Sequence, residues 1–327
     1  MNQQRISVAM CTYNGARFLP QQLESIAAQT RLPDELVVCD DGSADESAEI
    51  ARNFAKNAPF PVRLEINEEN LGSTKNFEKA IGLCRGEILA PADQDDLWRP
   101  EKLAVLETAL NGHAEAGYVF SDAELIDECG APTGRALWGS IRFRGAVLDR
   151  FSEGAQVAPL LRRNAVTGAT MAFRSDLKSI LLPMSPHFVH DYWIALLASC
   201  LGWLGVPIPE WLVQYRQHNG QQIGAMRSSI LEKVRWARQV GQIQYSNRTQ
   251  GYLDLRERLL LAVKNGWTCP ANHMGLLEEK IVHCCKRAAV HSSRGPAKVS
   301  EVVSEVLTGR YERFSNSWVS VVEDLCF

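Results

Sequence analysis

Three carboxylates, Asp93, Asp95 and Asp96, fall within four positions of the string Ala90-Pro91-Ala92-Asp93-Gln94-Asp95-Asp96-Leu97-Trp98. Carboxylates packed this closely repel one another unless a proton or a cation resolves the conflict. A hard divalent cation that takes phosphate oxygens as its other ligands is the usual resolution. The plainer alternative is an acidic helix start, where Asp95 and Asp96 cap the helix and complement its dipole. Pro100 and Glu101 suit a first helical turn just beyond them. The apolar run Ile88-Leu89-Ala90 leads into the cluster. A strand therefore feeds acidic groups toward the crevice at its carboxyl end, where open α/β sheets bind ligands.

The elements needed to hold such a cluster are legible around it. Residues 6–11 read as a buried first strand, followed by the turn Thr12-Tyr13-Asn14-Gly15 and an amphipathic helix with Phe18, Leu23 and Ile26 inward. Residues 36–39 form a second buried strand that ends in Asp40-Asp41-Gly42-Ser43, with Asp45 as the N-cap of the next helix. Residues 62–66 give a third strand, and Asn70-Leu71-Gly72-Ser73-Thr74-Lys75 opens a helix running to Leu83. Strands that alternate with helices and are almost continuously apolar predict a mostly parallel sheet covered on both faces. Every strand ends in polar or glycine-rich residues, so one sheet edge collects the chemistry.

Thr12-Tyr13-Asn14, Asp40-Asp41-Gly42-Ser43, Asn70-Leu71-Gly72 and Asp93-Gln94-Asp95-Asp96 resemble, in order and spacing, the motifs of glycosyltransferase family 2. His190-Asp191-Tyr192-Trp193 and Tyr215-Arg216-Gln217-His218 resemble the later motifs of its rhamnosyltransferase-like branch. The resemblance covers about the first 225 residues. It implies a GT-A fold, a nucleotide-diphosphate sugar donor, dTDP-L-rhamnose on the branch motifs, and Mg2+ or Mn2+. Residue by residue, it implies that Asp41 binds the base or ribose with Thr12 and Tyr13 flanking it. Lys75 approaches the base or diphosphate, Asp93 the sugar or ribose, and Asp95 holds the cation, with His218 near metal and diphosphate. Asp191 stands where the family carries its catalytic base, preceded by His190 instead of the usual glutamate. A simple N-cap is the competing role for Asp191, and a solvated helix lysine the competing role for Lys75. His187, His190 and Asp191 also form a superficial metal pattern, though neutral histidine as often serves as a structural hydrogen-bonding group.

The segment between these motifs is less regular. Residues 116–121 read as a strand ending near Asp122. Residues 129–165, with Arg135, Trp138, Arg142, Phe143, Arg144 and Phe151, read as a long loop or short helices over the active edge, suited to an acceptor. Residues 166–174 read as a buried strand with Gly168 allowing close backbone approach, and Ser175 caps a short helix ending at Pro183. Gln217, Gln221 and Gln222 are placed in a polar loop closed by Gly224.

From residue 226 the pattern becomes helical. Ile230, Val234, Ala237 and Val240 recur at helical spacing, as do residues within 251–263, 274–290 and 298–307. This predicts two units: residues 1–225, and an appendage of about four helices over 226–327 that donor binding does not need. Lys233, Arg235, Arg238, Arg248, Arg256, Arg258, Lys280, Lys286, Arg287 and Arg294 make the appendage basic. An ordinary solvated face explains that; contact with an anionic membrane surface carrying a lipid-linked or other saccharide acceptor is the sharper reading.

Composition limits the remaining classes. The 327 residues are 46% hydrophobic, as in a globular protein, and the net charge of −3 offers no basic field for nucleic acid. No apolar run reaches the length of a spanning helix. Residues 1–5 lead directly into the first strand and leave no room for a signal peptide. The nine cysteines include no Cys-x-x-Cys pair, and Cys284-Cys285 beside His283 lacks zinc-site spacing. A cytoplasmic protein is expected, peripheral at most to the inner face of the membrane. An NAD dehydrogenase lacks its Gly-x-Gly-x-x-Gly. A metal-dependent nucleotidyltransferase and a non-catalytic carbohydrate-binding protein remain as rivals.

Overall fold

The computed structural model describes residues 4–218 and 230–326, with side chains throughout except over 230–245. Gln221, Gln222 and Gly224, and the side chains of Lys233, Arg235 and Arg238, lie outside the described residues. Nine strands form one sheet: β1 (Ile6–Thr12), β2 (Glu35–Asp40), β3 (Val62–Ile66), β4 (Ile88–Ala92), β5 (Leu97–Trp98), β6 (Ala116–Ile126), β7 (Pro132–Ala136), β8 (Met171–Arg174) and β9 (Leu204–Arg216). The helices are α1 (Leu19–Ala27), α2 (Ser47–Ala55), α3 (Ser73–Leu83), α4 (Lys102–Gly112), α5 (Leu137–Ser140), α6 (Ala146–Ser152), α7 (Val157–Arg162), α8 (Lys178–Leu181) and α9 (His190–Cys200). They continue as α10 (Ile230–Lys264), α11 (Ala271–Ser292), α12 (Gly295–Leu307), α13 (Arg310–Phe314) and α14 (Trp318–Cys326).

Strand order is β3-β2-β1-β4-β8-β6-β9-β5, with β7 paired to β6. The first four strands are parallel and almost wholly apolar in β1, β2 and β4, as burial on both faces demands. Beyond β4 the sheet turns mixed. β8 runs antiparallel to both β4 and β6, and β9 is parallel to β6 with register shifts where the sheet curls. Six of the nine described strands, β1 to β4, β6 and β9, therefore point the same way, in keeping with the expected mostly parallel sheet, while β5, β7 and β8 oppose them. Two strands also outrun their apolar cores: β6 extends to Ile126, and β9 carries pairing back to Leu204. Of residues 166–174, only the last four pair as a strand, because Gly168–Thr170 forms a 3-10 turn.

Residues 129–165 fold as the hairpin strand β7 and the short helices α5 to α7, one of the two forms expected, with much of their surface exposed. Trp138, Phe143 and Phe151 are buried and pack around Phe120 of β6, Phe151 edge-on and the other two tilted. Their aromatic content answers a packing need, so the acceptor role expected of this segment loses the three aromatic rings it cited.

The helices beyond residue 230 share the same hydrophobic core as the sheet. Tyr252, Leu255, Leu259 and Ala262 of α10 and Leu277 and Ile281 of α11 join Tyr192, Trp193 and Leu196 of α9. The Tyr252 and Tyr192 hydroxyls meet at 2.9 Å. Several basic residues expected on a solvated face are structural. Arg258 donates to the carbonyls of Ile180, Leu182 and Pro183, buried Lys280 donates to Phe314 O, and Arg287 grips Asp324 through two 2.6 Å bonds. These three are spoken for and present no charge to a lipid surface. His283 bonds Glu305 and Ser315 through its two ring nitrogens. Removal of the helices is thus expected to unfold the remainder, not merely to spare donor binding. Leu255→Ala, at a fully buried position, is expected to cost about 2–5 kcal/mol, read from urea unfolding of the full chain. An unchanged unfolding midpoint would separate the appendage from the core.

Candidate active site

The loops after β1, β2 and β3 lock together before they meet any ligand. Asp40 at the end of β2 accepts from Thr12 Oγ1 at 2.7 Å, Ser43 N at 2.9 Å and Ser43 Oγ at 2.7 Å. Buried Asp41 works in the other direction. Its Oδ1 accepts from Asn67 Nδ2 at 2.7 Å and Leu71 N at 2.8 Å, and its Oδ2 from Gly72 N at 2.9 Å. Gly72 sits at φ 78°, a left-handed conformation that admits glycine without strain, and this aims its N–H at the carboxylate. A 560 Å³ pocket lined by Asn67, Glu68, Glu69, Leu71 and Lys79 opens beside this clamp. Tyr13 is half exposed, and its backbone N–H and C=O pair with the Gln94 amide at 2.8 and 3.1 Å. That pair stitches the first loop to the acidic one. Lys75 Nζ turns toward Glu78 at 2.8 Å and Met184 O at 3.2 Å. The side chains of Thr12, Asp41 and Lys75 are therefore all engaged within the protein, while Tyr13 presents a free ring face.

The acidic loop is pinned by the far end of β9. Buried Arg216 donates its N–H to Asp96 Oδ1 at 3.0 Å, its Nε to Asp95 O at 2.8 Å and an Nη to Gln21 at 2.9 Å, and its guanidinium lies over the Phe18 ring. His218 Nε2 faces Asp95 Oδ2 at 2.7 Å, and its ring leans on Phe18 with centroids 4.9 Å apart. Asp96 is buried and its Oδ2 has no hydrogen-bond partner. Burial first, then the charges of Asp95 and Asp93, hold the Asp96 carboxyl well above the usual range. Asp93 retains some surface but is enclosed by protein on most sides. Burial, then the charges of Asp95 and Asp191, push it up to about 7. Lys102 and Tyr215 are buried within electrostatic range of the same cluster.

Carboxylates crowded like this are relieved either by protons or by a cation. Among the described residues no three side chains converge closely enough to hold an ion alone. The fit is instead to a cation already carried by phosphate oxygens, for which carboxylates with one imidazole supply suitable remaining ligands.

Asp191 enters from the opposite side. It is not the N-cap of α9, which is Val189, but lies in the first turn. Its Oδ1 accepts from Asn164 Nδ2 at 2.9 Å and Tyr192 N at 2.5 Å, and its Oδ2 from Gly168 N at 2.9 Å. The carboxylate is thus fixed in orientation, and its charge reaches Asp93. His190 does not complete a metal cluster with His187. Its buried ring stacks on Phe77 with centroids 3.7 Å apart, and neither ring nitrogen finds a partner. Burial pushes that imidazole down, toward its neutral form.

Residues 7–152 match the family described as Glycosyl transferase family 2. That stretch is similar to a glycosyl transferase family 2 domain. An uncharacterized protein of Mycobacterium tuberculosis is 26% identical over 220 residues, covering 65% of this chain and 59% of its own length. The chain thus spans about three fifths of such curated relatives. Among solved structures, S. aureus TarS 1-349 in complex with UDP-GlcNAc superposes with a TM-score of 0.59 at 17% identity, covering 86% of this chain and 72% of that one. The mannosyltransferase PcManGT from Pyrobaculum calidifontis, in complex with GDP-Man and Mn2+, gives 0.54 at 16%, covering 100% and 87%. The curled mixed sheet flanked by helices is the GT-A fold.

Sequence reasoning left Asn164, Arg216, Tyr215 and Lys102 of this sheet edge without a role: Asn164 orients Asp191 together with the Gly168 N–H, Arg216 pins the acidic loop, Tyr215 lies within electrostatic range of it, and Lys102 lies against Trp98 at its exit. Lys102 had one signal: a lysine just ahead of the apolar stripe Leu103, Leu106 and Leu110, on the buried face of α4.

Proposed function

We propose that this chain is an inverting glycosyltransferase that moves a sugar from a nucleoside diphosphate donor to a saccharide or lipid-linked saccharide hydroxyl in surface polysaccharide synthesis. The observation that carries the reading is the pairing of two carboxylate groups across one sheet edge: Asp93 and Asp95 after β4, and Asp191 entering from α9 within electrostatic range of Asp93. Tyr13 flanks the nucleotide, and Asp41 and Thr12 shape its loops. Lys75 keeps a secondary, loop-holding part on the donor side. Asp93 meets the sugar or ribose. Asp95, with His218 beside it, would hold Mg2+ or Mn2+ on the diphosphate, and when bound that cation neutralises charge on the departing nucleoside diphosphate.

Asp191 takes the proton of the acceptor hydroxyl as its oxygen attacks the anomeric carbon from the face opposite the diphosphate. One displacement inverts the centre, so a β-linked rhamnosyl donor gives an α-linked product. The branch motifs around Asp191 and His218 favour dTDP-L-rhamnose. Mn2+ bound by one structural neighbour together with its GDP-sugar supports the cation.

Full-length protein is incubated with Mn2+ and a panel of nucleotide sugars that includes dTDP-L-rhamnose, and products are read by mass spectrometry. Release of nucleoside diphosphate, with transfer or hydrolysis, is the expected result. Pyrophosphate release points to a nucleotidyltransferase, and binding without turnover to a carbohydrate-binding protein.

A further inference from the structure

Lys102 is fully buried at the start of α4, and no step above uses it. An ammonium enclosed by protein is costly unless hydrogen bonds and opposite charge compensate it. Its Nζ donates to Ala169 O at 2.7 Å and lies 3.2 Å from the centroid of the Trp98 ring. Burial holds the Lys102 amine well below the usual lysine range, with Asp96 and then Asp93 drawing it back up. Asp96 Oδ2 has no hydrogen-bond partner among the described residues. Trp98, whose ring the amine lies over, stands two residues beyond Asp96 at the exit of the acidic loop.

The same amine holds the turn beside the base. Ala169 is the middle residue of the Gly168–Thr170 turn, whose first N–H is one of the three donors to the Asp191 carboxylate. The turn is gripped from its second side by His190. A Cβ on Gly168 would stand 2.4 Å from His190 Nε2, and the imidazole is itself backed by Phe77. Between Lys102 and the His190–Phe77 stack the turn has little freedom to slide.

We propose that Lys102 is a positioning residue that ties Trp98, at the exit of the acidic loop, to the turn orienting Asp191, so that both halves of the site keep one register. Loss of its amine leaves Ala169 O without its donor and the Trp98 ring without its contact. The turn then relaxes and the Asp191 carboxylate loses its fixed aim. The consequence for turnover rests on Asp191 being the base; the consequence for the turn does not.

The test uses Lys102→Met in the full chain, which keeps the stem and removes the charge. Two readouts are taken: hydrogen exchange of peptides covering residues 167–171 and 6–12, and the kcat and KM for hydrolysis of whichever panel nucleotide sugar the wild type consumes. Exchange in 167–171 is expected to rise about tenfold or more, with 6–12 unchanged. Turnover is expected to fall about 10–100-fold, with KM altered less than about threefold, as for a misplaced catalytic group. Unchanged exchange at 167–171 overturns the proposal, as does a uniform rise in both peptides, the mark of simple destabilisation. If exchange rises locally while turnover persists, the tether stands and the role of Asp191 falls. Lys102→Leu, which removes donor and charge alike, supplies the same comparison if the methionine variant does not fold.

Discussion

Replacing Asp191 by asparagine is expected to lower sugar transfer about 10²–10⁴-fold, the range for loss of a general base. The substitution is nearly isosteric. Its amide oxygen can still accept from Gly168 N or Tyr192 N, so the first turn of α9 keeps part of its local bonding. What disappears is the capacity to take a proton. Fold and donor affinity are expected to stay close to wild type, because the nucleotide-side loops are held by Asp40, Asp41 and Gln94, none of which touches Asp191. Transfer kinetics, with calorimetry of nucleotide binding alongside, separate these effects. NMR of the product decides the stereochemistry. A variant that transfers at near wild-type rate, or a product with retained anomeric configuration, would falsify the single-displacement reading.

The division between what the sequence disclosed and what it hid follows the range of the interactions. β1, β2 and β4 are announced by runs of apolar residues that must be covered on both faces, so local pattern sufficed. The acidic cluster was equally local, with three carboxylates in four positions. The mixed half of the sheet was not, because β5 has only two residues and gains its identity by pairing with β9 more than a hundred positions away. Residues 129–165 were legible as short helices but not in their packing, for a related reason. Arginine and aromatic content suggests a binding surface, but Trp138, Phe143 and Phe151 find their partners on β6. Asp191 was located by motif, whereas Asn164 and Gly168, which orient it, lie 27 and 23 positions upstream without any periodic signal. The buried lysine was hidden because helix pattern treats lysine as a surface residue. Its place in the interior is set by Ala169 and Trp98, contacts that no window of sequence contains.

Asp95→Asn is expected to weaken Mn2+-dependent binding of a nucleoside diphosphate by about 100-fold or more, beyond what loss of an outer-shell partner costs. Asparagine keeps the shape of the acidic loop, which Arg216 holds through the Asp95 carbonyl and not through its carboxylate. The charge that faces His218 is what is removed. Proton competition gives the same site a pH signature. Asp93 is pushed up to about 7 by burial and then by Asp95 and Asp191, so in wild type a proton competes with the cation as pH falls through that value. The sign for stability is the reverse of an ordinary ion-paired aspartate. The folded pKa lies above the unfolded value of about 3.9. Asp93 therefore contributes stability that is full below about pH 4 and lost as pH rises through about 7 in cation-free protein. A divalent cation relieves that loss, so the rise in melting temperature on adding Mn2+ with nucleoside diphosphate should be larger at pH 8 than at pH 5. In Asp95→Asn the rise should shrink at both pH values. Equal Mn2+ stabilisation of wild type at pH 5 and pH 8, or of wild type and Asp95→Asn at pH 8, would remove these carboxylates from the cation site.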